Sequence, residues 1–229
     1  MSLNLYYHPL ASFCWKALVA LYENDTPFNA VIVDLADAAS RDEFAAVWPL
    51  AKFPVLRDDA RDATVAEATI IIEYLDSFHP GRTRFIPSDP NQAWRTRMWD
   101  RVFDHYIHEP MQKIVTDRIR PDGKNDPHGV EQAVSLIRES YALVERQIGA
   151  SGWAMGGVFS LADCAASPAL FYANTVVPFD ATLTRLPAYL DRLTARPSFA
   201  RVLAEAEPYF PMFPMDRKPE IRRRAGAAG

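Results

Sequence analysis

The pattern of apolar and polar positions changes character about a third of the way along the chain. A short β-prone run over residues 3–7 closes at His8-Pro9 and predicts a strand entering a loop. Trp15, Leu18, Val19 and Tyr22 then recur as one face of a helix that ends near Asn24. Residues 28–33 alternate as a second strand, and 34–48 are polar with scattered apolar positions, read as a helix and a loop. A third strand is predicted over 54–56, a charged turn over 58–62, a fourth strand near Thr64-Val65, and a helix from Glu67 that carries Ile70, Ile71, Tyr74 and Leu75. The order is β-α-β-α-β-β-α.

Pro80, Gly81, Pro87 and Pro90 punctuate the next stretch, the composition of a linker, and no strand pattern follows it. Residues 92 to about 120 predict one long helix, 130–148 a second with Val134, Ile137, Tyr141, Val144 and Ile148 on its buried side, and 186–206 two shorter ones. Ser160-Leu161-Ala162-Asp163 has the spacing of a capping box before an apolar helix. The division expected is 1–80 as an α/β half, 81–90 as a linker, 91–216 as an all-helical half and 217–229 as a tail.

Composition adds limits. The chain has 229 residues, 49% hydrophobic and 24% charged, enough for two small domains with cores of their own. A net charge of −4 gives no basic field for nucleic acid. Only two cysteines occur, Cys14 and Cys164, with no CxxC, which fits a reducing cytoplasm and offers no metal site. No basic leader and no long apolar run suggest export or a membrane span.

Four motifs carry chemistry. Tyr6-Tyr7-His8-Pro9 with Ser12 forms a strand, loop and helix start; Lys52-Phe53-Pro54-Val55-Leu56 sets a proline before a strand. Glu67-Ala68 opens a helix, and Phe159-Ser160-Leu161-Ala162-Asp163 opens another. Taken alone, Pro54 reads as a trans proline starting a strand, with a cis bond as the alternative. Together, in this order and spacing over nearly the whole chain, the motifs resemble the cytosolic glutathione transferases of bacterial serine or cysteine type. The resemblance implies a thioredoxin-like N-terminal domain, a glutathione transferase-type helical C-terminal domain, a cis Pro54 and a homodimer.

It also implies glutathione as co-substrate, no metal, and a thiolate that attacks a small electrophile, chemistry associated with detoxification. A thiolate at neutral pH needs a donor and a positive helix end. Ser12 is the expected donor, with Tyr7 and Cys14 as alternatives; Ser12 also reads as a plain helix N-cap. A register shifted by one residue, as in maleylacetoacetate isomerases, sets Ala11 there instead. Phe53 and Pro54 are expected at the cysteinyl backbone, Glu67 and Ala68 at the γ-glutamyl end, and Lys52 at the glycyl carboxylate. Where the family usually has serine, this chain has Ala68, so one hydroxyl is missing unless Thr69 supplies it. Arg101 and His105, on one face of the first long helix, are the expected second-substrate residues. The alternatives are a glutathione-dependent isomerase or peroxidase, and a non-catalytic binding or regulatory protein of the same fold.

Overall fold

Leu3–Tyr7 buries every second side chain, and this strand, β1, sits at the centre of the sheet. In the computed structural model, which describes residues 2–221, β1 runs parallel to β2 (Asn29–Ile32) and antiparallel to β3 (Val55–Asp58), which pairs with β4 (Ala63–Ala66). The order is β2-β1-β3-β4, with Leu5 opposite Leu56 and Leu56 opposite Val65. A parallel β1–β2 pair needs a crossover, and α1 (Ser12–Glu23) supplies it. Helix α2 (Ala38–Val47) buries only Phe44, in a small cluster with Val33 and Val55. Helix α3 (Ala68–Phe78) packs back on the sheet through Ile71, Ile72 and Leu75. This is the thioredoxin-like half expected from the motif order.

The second half is helical: α4 (Pro90–Phe103), α5 (Glu109–Asp117), α6 (Pro127–Gln147), α7 (Leu161–Val176), α8 (Arg185–Thr194) and α9 (Pro197–Ala206), closed by a 3-10 turn, Glu207–Met212. Helix α7 is buried nearly all round, and α1 packs against it, so the main core runs across both halves. Hence α1 buries Cys14 to Leu21 without a polar face, where its sequence suggests one buried stripe.

The helix predicted from residue 92 to about 120 is not continuous. A π-helical turn, Asp104–His108, separates α4 from α5. Pro110 has no N–H to return to the carbonyl of Tyr106, which lies 3.1 Å from Ser140 Oγ, a hydroxyl that also reaches the Leu136 carbonyl at 2.7 Å. Of the expected tail, Lys218 donates to the Phe213 carbonyl at 2.5 Å, and residues 222–229 lie outside the described residues.

Candidate active site

A cleft of about 440 Å³ opens between the two halves. One wall comes from the loop before β3 and the start of α3, and holds Lys52, Phe53, Pro54, Glu67 and Ala68. The Phe53–Pro54 bond is cis. Neither the amide nor the carbonyl of Phe53 has a hydrogen-bond partner among the described residues, and its ring stacks on His8 at 6.2 Å. Glu67, just before α3, has φ 70° and ψ 120°, a positive-φ conformation that costs a non-glycine residue about 1–3 kcal/mol. It turns the chain so that the first amides of α3, Ala68 and Thr69, begin at the cleft with no protein acceptor. The Thr69 hydroxyl cannot replace the one absent at Ala68. It accepts from Lys16 Nζ at 2.7 Å and from Arg101, and donates to Asp100 at 3.0 Å.

The opposite wall is polar: Arg101, Asp104, His105, Glu109 and Gln112. Arg101 and His105 thus face the cleft, as their spacing suggests, whereas Arg97 pairs with Glu73 and Tyr106 is exposed on the outside. His105 Nδ1 is 2.9 Å from Glu109. Beneath Arg101 lies a buried charge cluster. Lys16, fully buried, reaches Asp104 at 2.7 Å and Asp100 Oδ1 at 2.5 Å, the latter an ion-pair contact without hydrogen-bond geometry. Arg101 Nη2 lies 2.6 Å from Asp100 and 2.7 Å from Asp104. Burial alone would lower the Arg101 pKa, but Asp100 and Asp104 more than offset it and hold it above its ordinary value. Two cations meet two carboxylates, so the cluster is neutral overall.

The start of α1 reaches the cleft through Ala11 and Phe13. The three side chains expected to activate a thiol do not line it. Ala11, not Ser12, occupies the N-cap, and Ser12 is only 5% exposed. Its hydroxyl points inward, 2.5 Å from His108 Nε2 and 3.2 Å from Gln112 Nε2. Cys14 is fully buried, and burial pushes its thiol up to about 12, a protonated and unreactive form. Tyr7 is buried in the sheet, where burial and then the Glu205 charge raise its pKa. The amides of Ser12 and Phe13 have no acceptor among the described residues.

His108 is fully buried and stacks on Phe13 at 3.8 Å; burial, and then the Lys16 charge, lower its pKa to about 3. Gln112, Asp100 and Asp104 are not among the residues the sequence marks out. A signal was there: with His108 they make four polar residues, each four positions after the last, along one side of α4, the π turn and α5. Asp163 accepts from the Ser160 amide at 2.9 Å, the Ala154 amide at 2.8 Å and the Tyr189 hydroxyl at 2.6 Å, and none of these lines the cleft. Among the described residues no group of three or more His, Cys, Asp or Glu is arranged to hold a metal ion.

With this geometry in place, the comparisons with known proteins are direct. Residues 5–83 match the family described as "Glutathione S-transferase, N-terminal domain", and residues 127–205 match "Glutathione S-transferase, C-terminal domain". The chain belongs to the glutathione S-transferase family. Glutathione S-transferase F13 of Arabidopsis thaliana is 24% identical over 88% of this chain and 95% of its own length. A glutathione S-transferase of Methylobacterium radiotolerans, solved in complex with glutathione sulfonate, is 28% identical, covers 87% of this chain and 93% of its own, and superposes with a TM-score of 0.76. Another, from Methylobacillus flagellatus and solved with glutathione bound, has a TM-score of 0.80 at 24% identity, covering 88% and 98%.

Proposed function

We propose that this chain binds glutathione in the cleft between its halves and delivers the thiolate to a small electrophile. One observation carries the reading: two separate segments, Lys52-Phe53-Pro54 and Glu67-Ala68, line one wall of a single cleft that faces Arg101 and His105. The unpaired Phe53 backbone suits a peptide that pairs as an added strand. The open start of α3, beside Glu67, suits the α-carboxylate and ammonium of the γ-glutamyl end, and Lys52 suits the glycyl carboxylate. The thiolate then falls at the start of α1, where the helix end and the unpaired amides of Ser12 and Phe13 favour an anion. Ser12 belongs behind that position rather than in contact with it. With the Thr69 hydroxyl committed elsewhere, the missing hydroxyl at Ala68 weakens glutathione binding by about three- to tenfold, the worth of one hydrogen bond.

Retention on immobilised glutathione, followed by absorbance titration of the bound thiol, tests the reading. Retention and a thiol pKa below the free value of about 8.5 are expected. No retention and no shift would sink it. A panel of halides, epoxides, maleyl compounds and hydroperoxides then separates transfer, which consumes glutathione, from isomerisation, which returns it, and from peroxide reduction, which oxidises it. A homodimer forms part of the proposal, supported by Ile70 on α3 and Trp94 and Met98 on α4, large apolar side chains left exposed on neighbouring helices. The unpaired, buried Cys14 and Cys164 fit a reducing cytoplasm.

A further inference from the structure

The helical wall of the cleft has five polar side chains, and four of them are engaged with one another or with the charge cluster. Arg101 is paired with Asp104, Asp104 Oδ2 also with Lys16, and His105 with Glu109. Gln112 differs. Its Nε2 donates to Ser12 Oγ at 3.2 Å, and its carbonyl oxygen has no partner among the described residues.

Ser12 fixes the direction of that amide. A serine hydroxyl has one proton to give, and its neighbours here are Gln112, which donates to it, and His108 Nε2 at 2.5 Å. Ser12 thus accepts from Gln112 Nε2 and has His108 Nε2 as its other partner, which leaves the Gln112 carbonyl and second N–H to the cleft that Gln112 lines. His108 Nδ1 is buried without a partner among the described residues. Both Ser12 and His108 are buried, so the arrangement is held from behind by the core.

We propose that Gln112, oriented by the buried Ser12–His108 pair, is the specificity residue of the second-substrate half, and that it selects neutral electrophiles bearing a hydrogen-bonding group. This rests on the glutathione reading above. Charge supports neutrality. The ionised side chains on the cleft are Lys52 and Arg101 against Glu67, Asp104 and Glu109, and Lys52 and the α3 amides are taken up by the carboxylates of glutathione. A doubly anionic electrophile finds no spare cation. Phe13, Leu35, Trp48 and Leu50 give the facing side an apolar surface for the body of such a molecule.

The test uses three electrophiles, with each kcat/KM divided by the uncatalysed rate with glutathione: 4-phenyl-3-buten-2-one (neutral, with an acceptor carbonyl), benzyl chloride (neutral, without one) and maleate (dianionic). The wild-type chain should favour the enone over both. Gln112→Leu should reduce the enone-to-benzyl chloride preference by about three- to tenfold through KM for the enone, the loss of one hydrogen bond. Ser12→Ala should do the same without moving the pKa of the bound thiol, and Ser12→Thr, which keeps a hydroxyl, should restore the preference. An unchanged preference in Gln112→Leu overturns the proposal even if Ser12→Ala fails to fold. A thiol pKa that rises in Ser12→Ala overturns the positioning role, and wild-type maleate turnover matching the enone overturns the charge argument. Failure of the glutathione reading is distinct: it appears in the wild-type chain as absent retention and takes this proposal with it.

Discussion

At the scale of single residues, His108 tolerates only one protonation state. The unfolded chain takes up a proton at this imidazole near the ordinary value of 6.5, whereas the folded chain resists until about pH 3. The sign follows from linkage. Below 6.5 the unfolded state binds more protons, so this residue's contribution makes stability fall as pH drops, by up to about 1.4 kcal/mol per pH unit until native His108 titrates. Urea midpoints for wild type and His108→Gln between pH 7 and 4 should converge as pH falls; parallel curves would refute a buried neutral imidazole. The same residue explains a limit of sequence reading. A serine where loop meets helix looks alike whether its hydroxyl faces a ligand or the core. The partner that decides it here lies 96 positions away. The isomer of Phe53–Pro54 was likewise open from the dipeptide and became an expectation only through resemblance to a family.

At the scale of elements, periodicity located most helices and strands because each has one face against the core. It failed between α4 and α5, where the missing N–H of Pro110 accommodates a π turn without disturbing the apolar spacing. The capping box of α7 was legible in full, since a cap is a local pattern of two residues three apart. Its depth was not: Asp163 also ties down Ala154 and Tyr189. Asp163→Ala leaves buried donors unpaired and should cost about 2–4 kcal/mol. Thermal or urea unfolding checks this, and glutathione retention by whatever folded fraction survives should match wild type. Normal stability with lost retention would reverse the assignment.

At the scale of the whole molecule, polar contacts bind the halves together. Glu23 at the end of α1 accepts from Arg196 at 2.7 and 2.5 Å, Ser198 at 2.8 Å and Thr83 at 3.0 Å. Burial alone would raise this carboxyl, but the Arg196 and Ser198 bonds outweigh it and its pKa lies below the usual 4.5. The stability it adds is therefore present above that value and is lost as pH falls through the folded pKa. Glu23→Gln should destabilise by about 3 kcal/mol at pH 7, as for one broken partner of a buried pair, and by progressively less below pH 4.5. A deficit in melting temperature that stays constant with pH would show the bonds do not depend on charge. Glu23, Thr83 and the Arg196–Ser198 turn lie far apart in sequence, and nothing in the local pattern of either half announces the join.

The Lys16 cluster beneath the cleft ties α1 and α3 to α4 and the π turn. Spreading the walls would pull the fully buried Lys16 of α1 from Asp100 and Asp104, a separation with a high electrostatic cost where water is excluded. The site is therefore a slot of fixed gauge, set before any molecule enters. Turnover should then track the bulk of the departing conjugate more closely than the reactivity of the arriving electrophile, because a slot that cannot widen releases its largest products last.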